Sequence, residues 1–220
     1  MAILTINNAS CALTPISYGL LYNGYVAIDV RGIANTGWHV PTYTEMQTLS
    51  TYVGGSGISM RETGTTYWGS GGGTNIYEFN ARGNGIRSAI NGVFSNLNIQ
   101  FLIYSSTGIT TLRAMTISGD LITIGLSVLG HGRGIRLLKD STSLSHGQSG
   151  TYTGNNGKKY RTICIGTQEW LADNLAETKY NNSDWISGYN LGVYTPITDV
   201  AWIALTSGAL CAYDDDWNNV

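Results

Sequence analysis

The sequence predicts an α+β domain in which short antiparallel strands dominate and helices are few, and three observations carry that expectation. Glycine is abundant (29 of 220) and proline scarce (3), while the bulk of the chain is Thr, Ser, Asn, Ile, Leu and Tyr. That mixture suits short strands joined by tight, glycine-dependent turns. Several stretches alternate apolar and polar residues with period two, as strands with one buried face do. Only one stretch carries a complete helix-start signature.

Taken in chain order, residues 1–17 alternate weakly, with Ile3 and Thr5 set against Leu4 and Ile6, and read as an edge strand or an attachment arm. Residues 18–140 form the next section. Within it Thr42-Tyr43-Thr44-Glu45 has the form of a capping box, in which the threonine hydroxyl accepts from the third helical N–H and the glutamate reaches back. Met46, Leu49 and Val53 follow at helical spacing, and Gly54-Gly55 offers a left-handed stop, so a helix of about three turns is expected. Phe101 to Tyr104 is a short apolar run, and Ile122, Ile124, Leu126 and Val128 alternate with Thr123, Gly125 and Ser127. Residues 141–157 are polar and glycine-rich with little to bury, and read as a linker or long surface loop. Residues 158–220 begin with a strand, Tyr160, Thr162 and Cys164 alternating with Arg161, Ile163 and Ile165, and end in an aromatic-rich, turn-rich tail.

Composition narrows the function. Charged residues are 12% of the chain and the formal net charge is −2, so a basic nucleic-acid footprint is missing and nucleic acid is not an expected partner. Hydrophobic content of 42%, with aromatics spread along the chain, argues against disorder. No signal peptide and no membrane span is expected, since no basic residue precedes the first short apolar run. Cys11, Cys164 and Cys211 are too few and too scattered for a disulfide framework or a metal site. The histidines, His39, His131 and His146, form no zinc-protease motif, and neither a nucleophile elbow nor a phosphate-binding loop is present. The glycine runs at 69–73 and 130–134 lack the strand-to-helix context of a phosphate cradle. The expectation is a protein that is not an enzyme and carries no cofactor.

Several motifs together resemble a known family. Residues 160–175 (Tyr-Arg-Thr-Ile-Cys-Ile-Gly-Thr-Gln-Glu-Trp-Leu-Ala-Asp-Asn-Leu), then Thr178-Lys179-Tyr180 and Ala209-Leu210-Cys211-Ala212-Tyr213, look like the first half of the Fibrobacter succinogenes major paralogous domain, abundant in Bacteroidetes and their phages. Tyr18-Gly19-Leu20-Leu21-Tyr22-Asn23, Gly37-Trp38-His39-Val40-Pro41-Thr42, Glu45, Thr66-Tyr67-Trp68, Phe79-Asn80, Gly85-Ile86-Arg87, Tyr104-Ser105-Ser106-Thr107, Gly125-Leu126-Ser127, Arg136 and Asp140 resemble its second half. The resemblance implies a C-type lectin-like fold, similar also to formylglycine-generating enzymes, with twisted antiparallel strands, few helices and long ordered loops. Those enzymes rely on a reactive cysteine pair, and this sequence has no closely spaced pair. The halves stand in inverted order, so the chain is either a circular permutant closed on itself across residues 141–157 or one member of an oligomer whose halves are exchanged.

A lectin-like domain without an export signal suits a phage structural protein assembled in the host cytoplasm. The expected function is therefore a virion component, a tail-fibre or head-fibre tip or a decoration protein, that binds a bacterial surface glycan or protein and contacts other virion proteins as a homo-oligomer, with a trimer as the guess. A purely structural virion protein and a bacterial cell-surface adhesin domain are the alternatives. Aromatic rings stack on apolar sugar faces while amides and carboxylates bond hydroxyls. The candidate ligand-binding residues are accordingly Tyr213, Asp214, Asp215, Asp216, Trp217, Asn218 and Asn219, with Tyr180, Asn182, Asp184, Trp185 and Tyr189 as a second cluster. Three consecutive aspartates also suggest calcium. Neighbouring side chains diverge, however, so a solvated acidic turn is the expectation and no metal is assigned.

Overall fold

The computed structural model describes residues 17–220, and the expected N-terminal arm and Cys11 fall outside the described residues. Two five-stranded sheets, a three-stranded sheet and a two-stranded hairpin make up most of the regular structure, and every named strand pairing is antiparallel. In spatial order the first sheet runs Leu210–Cys211, Leu21–Asn23, Gly132–Arg133, Asn84–Arg87, Phe94–Leu97. The second runs Ser149–Thr153, Lys159–Ile165, Gln168–Leu171, Leu138–Lys139, Trp38–His39. Both therefore join strands that precede residues 141–157 to strands that follow them. The third, Gln100–Tyr104, Thr111–Ser118 and Leu121–Val128, is a continuous meander.

The longest helix, Tyr43–Tyr52, forms where the capping box stands. The Thr42 hydroxyl accepts from the Glu45 N–H at 3.3 Å and the Glu45 carboxylate accepts from the Thr42 N–H at 2.7 Å, leaving two fewer orphan donors at the first turn. Gly54 and Gly55, at φ of 65° and 70°, end it. Its apolar side, Met46, Leu49 and then Val53, is buried with Ile117 and Ile122 of the third sheet and with Trp68, Phe79 and Trp170. A second buried cluster, including Leu20, Tyr22, Val26, Tyr104 and Tyr160, draws on all three larger sheets.

The stretch expected to be a linker contains a strand. Ser149–Thr153 pairs with the first five residues of Lys159–Ile165, from Thr153↔Lys159 to Ser149↔Ile163, and Tyr152 is buried against Trp38 and Tyr160, with ring centroids 5.0 and 5.8 Å away. The alternation Gly150, Tyr152 against Ser149, Thr151, Thr153 is the signal that polar composition hid. A hairpin turn closes the pair, and its Asn156 N–H donates at 2.8 Å to the buried Glu177 carboxylate, which also accepts from the Tyr160 hydroxyl at 2.6 Å. Burial pushes the Glu177 carboxyl above its ordinary range despite those bonds. Two short helices, Gly24–Ala27 and Asp199–Ile203, have too little periodicity to be legible in sequence.

Candidate functional site

The C-terminal tail and residues 185–197 come together into one surface feature. Tyr189 and Tyr194 are cross-strand partners in the hairpin Tyr189–Asn190/Val193–Tyr194, turned by Leu191 and Gly192, both at positive φ (47° and 89°). A two-residue turn of this hand matches strand twist, which puts both rings on one face. Trp217 lies against that face, 5.1 Å from Tyr189 and 4.9 Å from Tyr194 between centroids, with interplanar angles of 28° and 34°. Trp185 extends the column at 5.6 Å from Tyr189, and the Lys179 ammonium sits 4.1 Å over the Trp185 ring. Cation and ring attract through the ring quadrupole. Trp217 remains 38% exposed, while the other three rings are half-buried.

Beside the column is a groove of about 500 Å³ lined by Trp185, Tyr189, Asn190, Thr195, Pro196 and Ile197, among others. Its wall is aromatic and aliphatic with amide and hydroxyl groups, the mixture that suits a neutral polar ligand.

Hydrogen bonds hold the tail in place. The Tyr194 hydroxyl donates to Asp215 Oδ1 at 2.7 Å and accepts from the Ala212 N–H at 3.1 Å. Burial and then the Asp215 carboxylate push the Tyr194 phenol well above its ordinary value. Asp216 caps the terminal turn Trp217–Asn219, accepting from the Asn218 N–H at 3.0 Å, and Asn219 Nδ2 donates to the Tyr213 carbonyl at 2.9 Å. Tyr213 is half-buried against Phe94, 5.2 Å between centroids. The three aspartates do not converge: Asp214 is exposed at φ 57°, Asp215 turns inward to Tyr194, and Asp216 bonds its own turn. Among the described residues no group of three metal-binding side chains comes together.

The second cluster splits. Trp185 and Tyr189 join the column, whereas Tyr180 is only 1% exposed and lies under the Arg31 guanidinium, 3.9 Å from its ring centroid. Packing against Gly208, where a Cβ would meet the phenol oxygen, removes Tyr180 from any external surface. Asp184 and Asn182 bond each other at 2.9 Å, and Asp184 also accepts from Arg31 at 3.3 Å. These bonds, the one from Asn182 first and then Arg31, hold the Asp184 carboxyl below its usual range. They lie at the outer edge of this loop.

Sequence reasoning missed two contributors, Tyr194 and Arg87. Tyr194 had a signal in the hairpin spacing. Arg87 is fully buried between Phe94 and Trp202, with its guanidinium carbon 4.6 Å from each ring centroid. It donates to the Gly92 carbonyl at 2.9 Å, the Ile197 carbonyl at 2.6 Å and Asp199 at 3.0 Å, and lies 3.5 Å from Asp215. One side chain thus ties the groove wall to the turn that carries the column. Only its place in Gly85-Ile86-Arg87 marked it in the sequence.

Cys164 and Cys211 are buried as free thiols, and burial pushes the Cys211 thiol up to about 12, so it is not a thiolate near neutral pH. His39, inside the motif at 37–42, is bound on both ring nitrogens, to Asp140 at 2.6 Å and to Glu45 at 3.1 Å.

The family model described as Fibrobacter succinogenes major domain matches residues 8–118, about half of the chain. That stretch contains the motif at 37–45 and ends within the third sheet; the column lies beyond it. No curated protein and no solved structure matches the chain.

Proposed function

The chain belongs to the Fibrobacter succinogenes major domain family, and from that premise we propose that it is a non-catalytic binding module of a phage virion, a fibre tip or decoration protein, whose aromatic column and adjoining groove hold a bacterial surface glycan or protein. One observation carries this reading. Rings from two sequence-distant segments, Trp185, Tyr189 and Tyr194 on one side and Trp217 on the other, assemble beside a groove with few charges on its wall. The stacked faces are turned toward each other, so in this reading a ligand meets the exposed part of Trp217 and the groove mouth, and Asp214, Asp216 and Asn218 are exposed on the turns that flank Trp217. An uncharged sugar fits that chemistry, its apolar face on the indole and its hydroxyls on the amides and carboxylates.

Glycan-array binding followed by calorimetry, on the intact protein and on Trp217→Ala, tests it. Binding of neutral glycans that falls at least tenfold in the variant is the expected result; no glycan or host-surface binding by the intact protein would leave the purely structural virion role.

We read the domain as C-type lectin-like with its halves in permuted order. Supporting this, the Tyr18 N–H donates to the Asn219 carbonyl at 3.0 Å, and Leu21–Asn23 pairs with Leu210–Cys211, so the two segments that adjoin in the usual family order lie side by side. A donor–acceptor distance between labels near residues 17 and 220, measured in dilute solution, tests the closed form: a short distance within single chains is expected, and a long one means exchanged halves.

A further inference from the structure

Among the described residues, the third sheet ends on an open edge. Leu121–Val128 pairs with Thr111–Ser118 along its whole length, from Ser118↔Leu121 to Thr111↔Val128, without a bulge. On its other side, among the described residues, the start is covered by the bridge Ser56↔Leu121 and the Ile122 N–H donating to the Gly55 carbonyl at 3.3 Å, and at the end the Val128 carbonyl accepts from the Tyr104 hydroxyl at 2.8 Å, which leaves Ile124 and Leu126 as the open stretch between. That bond fixes a direction. With the Ile122 N–H pointing away from Thr111–Ser118, antiparallel alternation points the N–H and C=O groups of Ile124 and Leu126 the same way. Natural edges are usually defended by lysine, proline, a bulge or a covering element. Here the sequence Leu-Ile-Thr-Ile-Gly-Leu-Ser-Val has no charge and no proline, and Leu121, Leu126 and Val128 are 61%, 68% and 47% exposed.

We propose that this edge pairs antiparallel with the same edge of a second copy of the chain, joining two third sheets into one six-stranded sheet. The strand is its own complement. With Ile124 opposite Leu126 of the second copy, and the reverse, two residues in each chain exchange both backbone hydrogen bonds across a two-fold axis. Charge selects this occupant and this orientation. The charged groups nearest the strand are Asp120, just before it, Arg113, across from Leu126 with its guanidinium over the Tyr43 ring, and the buried Arg133, whose Nε–H donates to the Ser127 hydroxyl at 2.9 Å. An antiparallel two-fold sets the Asp120 end of one copy beside the Val128 end of the other, whereas a parallel pairing would set the two aspartates side by side. Arg113 lies over Tyr43 and Arg133 is buried, so the outward edge itself offers a strongly charged partner strand little to pair with, whereas an uncharged copy of the same strand leaves no charge unmatched. The exposed apolar side chains flank the new ladder and leave water with it.

The experiment is solution mass by light scattering across a concentration series on the full-length protein, alongside hydrogen exchange read at the Ile124 and Leu126 amides. The expected result is a mass that doubles with concentration and amide exchange that slows in step. Leu126→Pro should abolish both while leaving the far-ultraviolet circular dichroism unchanged, because the amide it removes points away from Thr111–Ser118. Gly125→Lys, which sets two like charges opposite each other on the axis at a position where an added Cβ meets nothing within 4 Å, should weaken doubling at least tenfold and serves if the proline variant does not fold. The proposal is overturned by a mass that never doubles, by doubling that survives in both variants, or by Ile124 and Leu126 amides protected equally at every concentration, which would mean that the edge is covered within its own chain.

Discussion

The motif at 37–45 and the aromatic column at 185–217 are built on opposite plans. In the first, the side chains at its centre are a few residues apart, Thr42 and Glu45 bonding each other and His39 reaching Glu45, and long-range partners such as Asp140 and Gln168 attach to that local frame. In the second, Trp217 meets rings that precede it by more than twenty residues, and the groove wall hangs on Arg87, over a hundred residues away. The difference teaches where a fold stores its specificity. A local node can be read and broken one residue at a time, whereas a long-range node depends on a buried hub that no local pattern announces.

Breaking the hub gives the largest expected effect. Arg87→Ala removes a buried side chain packed between Phe94 and Trp202 and leaves the Gly92 and Ile197 carbonyls without their donor. Each orphaned group costs about 1–3 kcal/mol, so a loss of roughly 3 kcal/mol or more is expected in denaturant titration, with the groove's ligand affinity lost alongside. At the local node, Thr42→Ala removes the helix cap and should cost about 1 kcal/mol, with binding untouched. A variant that lost binding there would erase the distinction between the two regions. Trp217→Ala should cost a comparable amount in stability, about 0.5–1.5 kcal/mol for exposed stacking contacts, while lowering ligand affinity at least tenfold. If it unfolded the protein, the column would be a piece of core and not a platform.

Legibility in the sequence followed the same division. The helix Tyr43–Tyr52 and its cap, and the strands at 100–104, 121–128 and 159–165, stood out because their signals are local: a capping box and period two. Ser149–Thr153 was hidden because Ser, Gly and Thr make a solvated strand face look like a loop, and one buried ring, Tyr152, is a thin signal. For the candidate site, aromatic and Asn/Asp density picked out Trp185, Tyr189 and Trp217, which the fold does bring together. Density could not separate them from Tyr180, which the close approach of Gly208 draws inside. Nor could it find Tyr194 or Arg87, whose roles exist only once the tail has returned to the first sheet.

The finest test of the comparison is pH. Burial works against the charged form of His39, but hydrogen bonds to Asp140 and Glu45 outweigh it and raise its pKa above the ordinary 6.5. Burial likewise opposes ionisation of Glu45, and the bonds from the Thr42 N–H and hydroxyl, with His39, outweigh it and hold that carboxyl below the ordinary 4.5. A group whose folded pKa is raised stabilises fully below its unfolded value and loses that contribution as pH climbs through the folded one; a group whose folded pKa is lowered behaves in reverse. The node therefore contributes most between about 4.5 and 6.5 and weakens above that window as His39 deprotonates. Melting temperatures of the intact protein and of His39→Gln, followed from pH 5.5 to 8.5, should converge as pH rises, whereas ligand affinity at the column should be indifferent to the substitution at every pH, since His39 shares no partner with it. Parallel melting curves would show that the two carboxylates hold the strand-to-helix corner without the histidine's charge, and a pH-dependent change in affinity would mean that the two regions, built so differently, are nonetheless coupled.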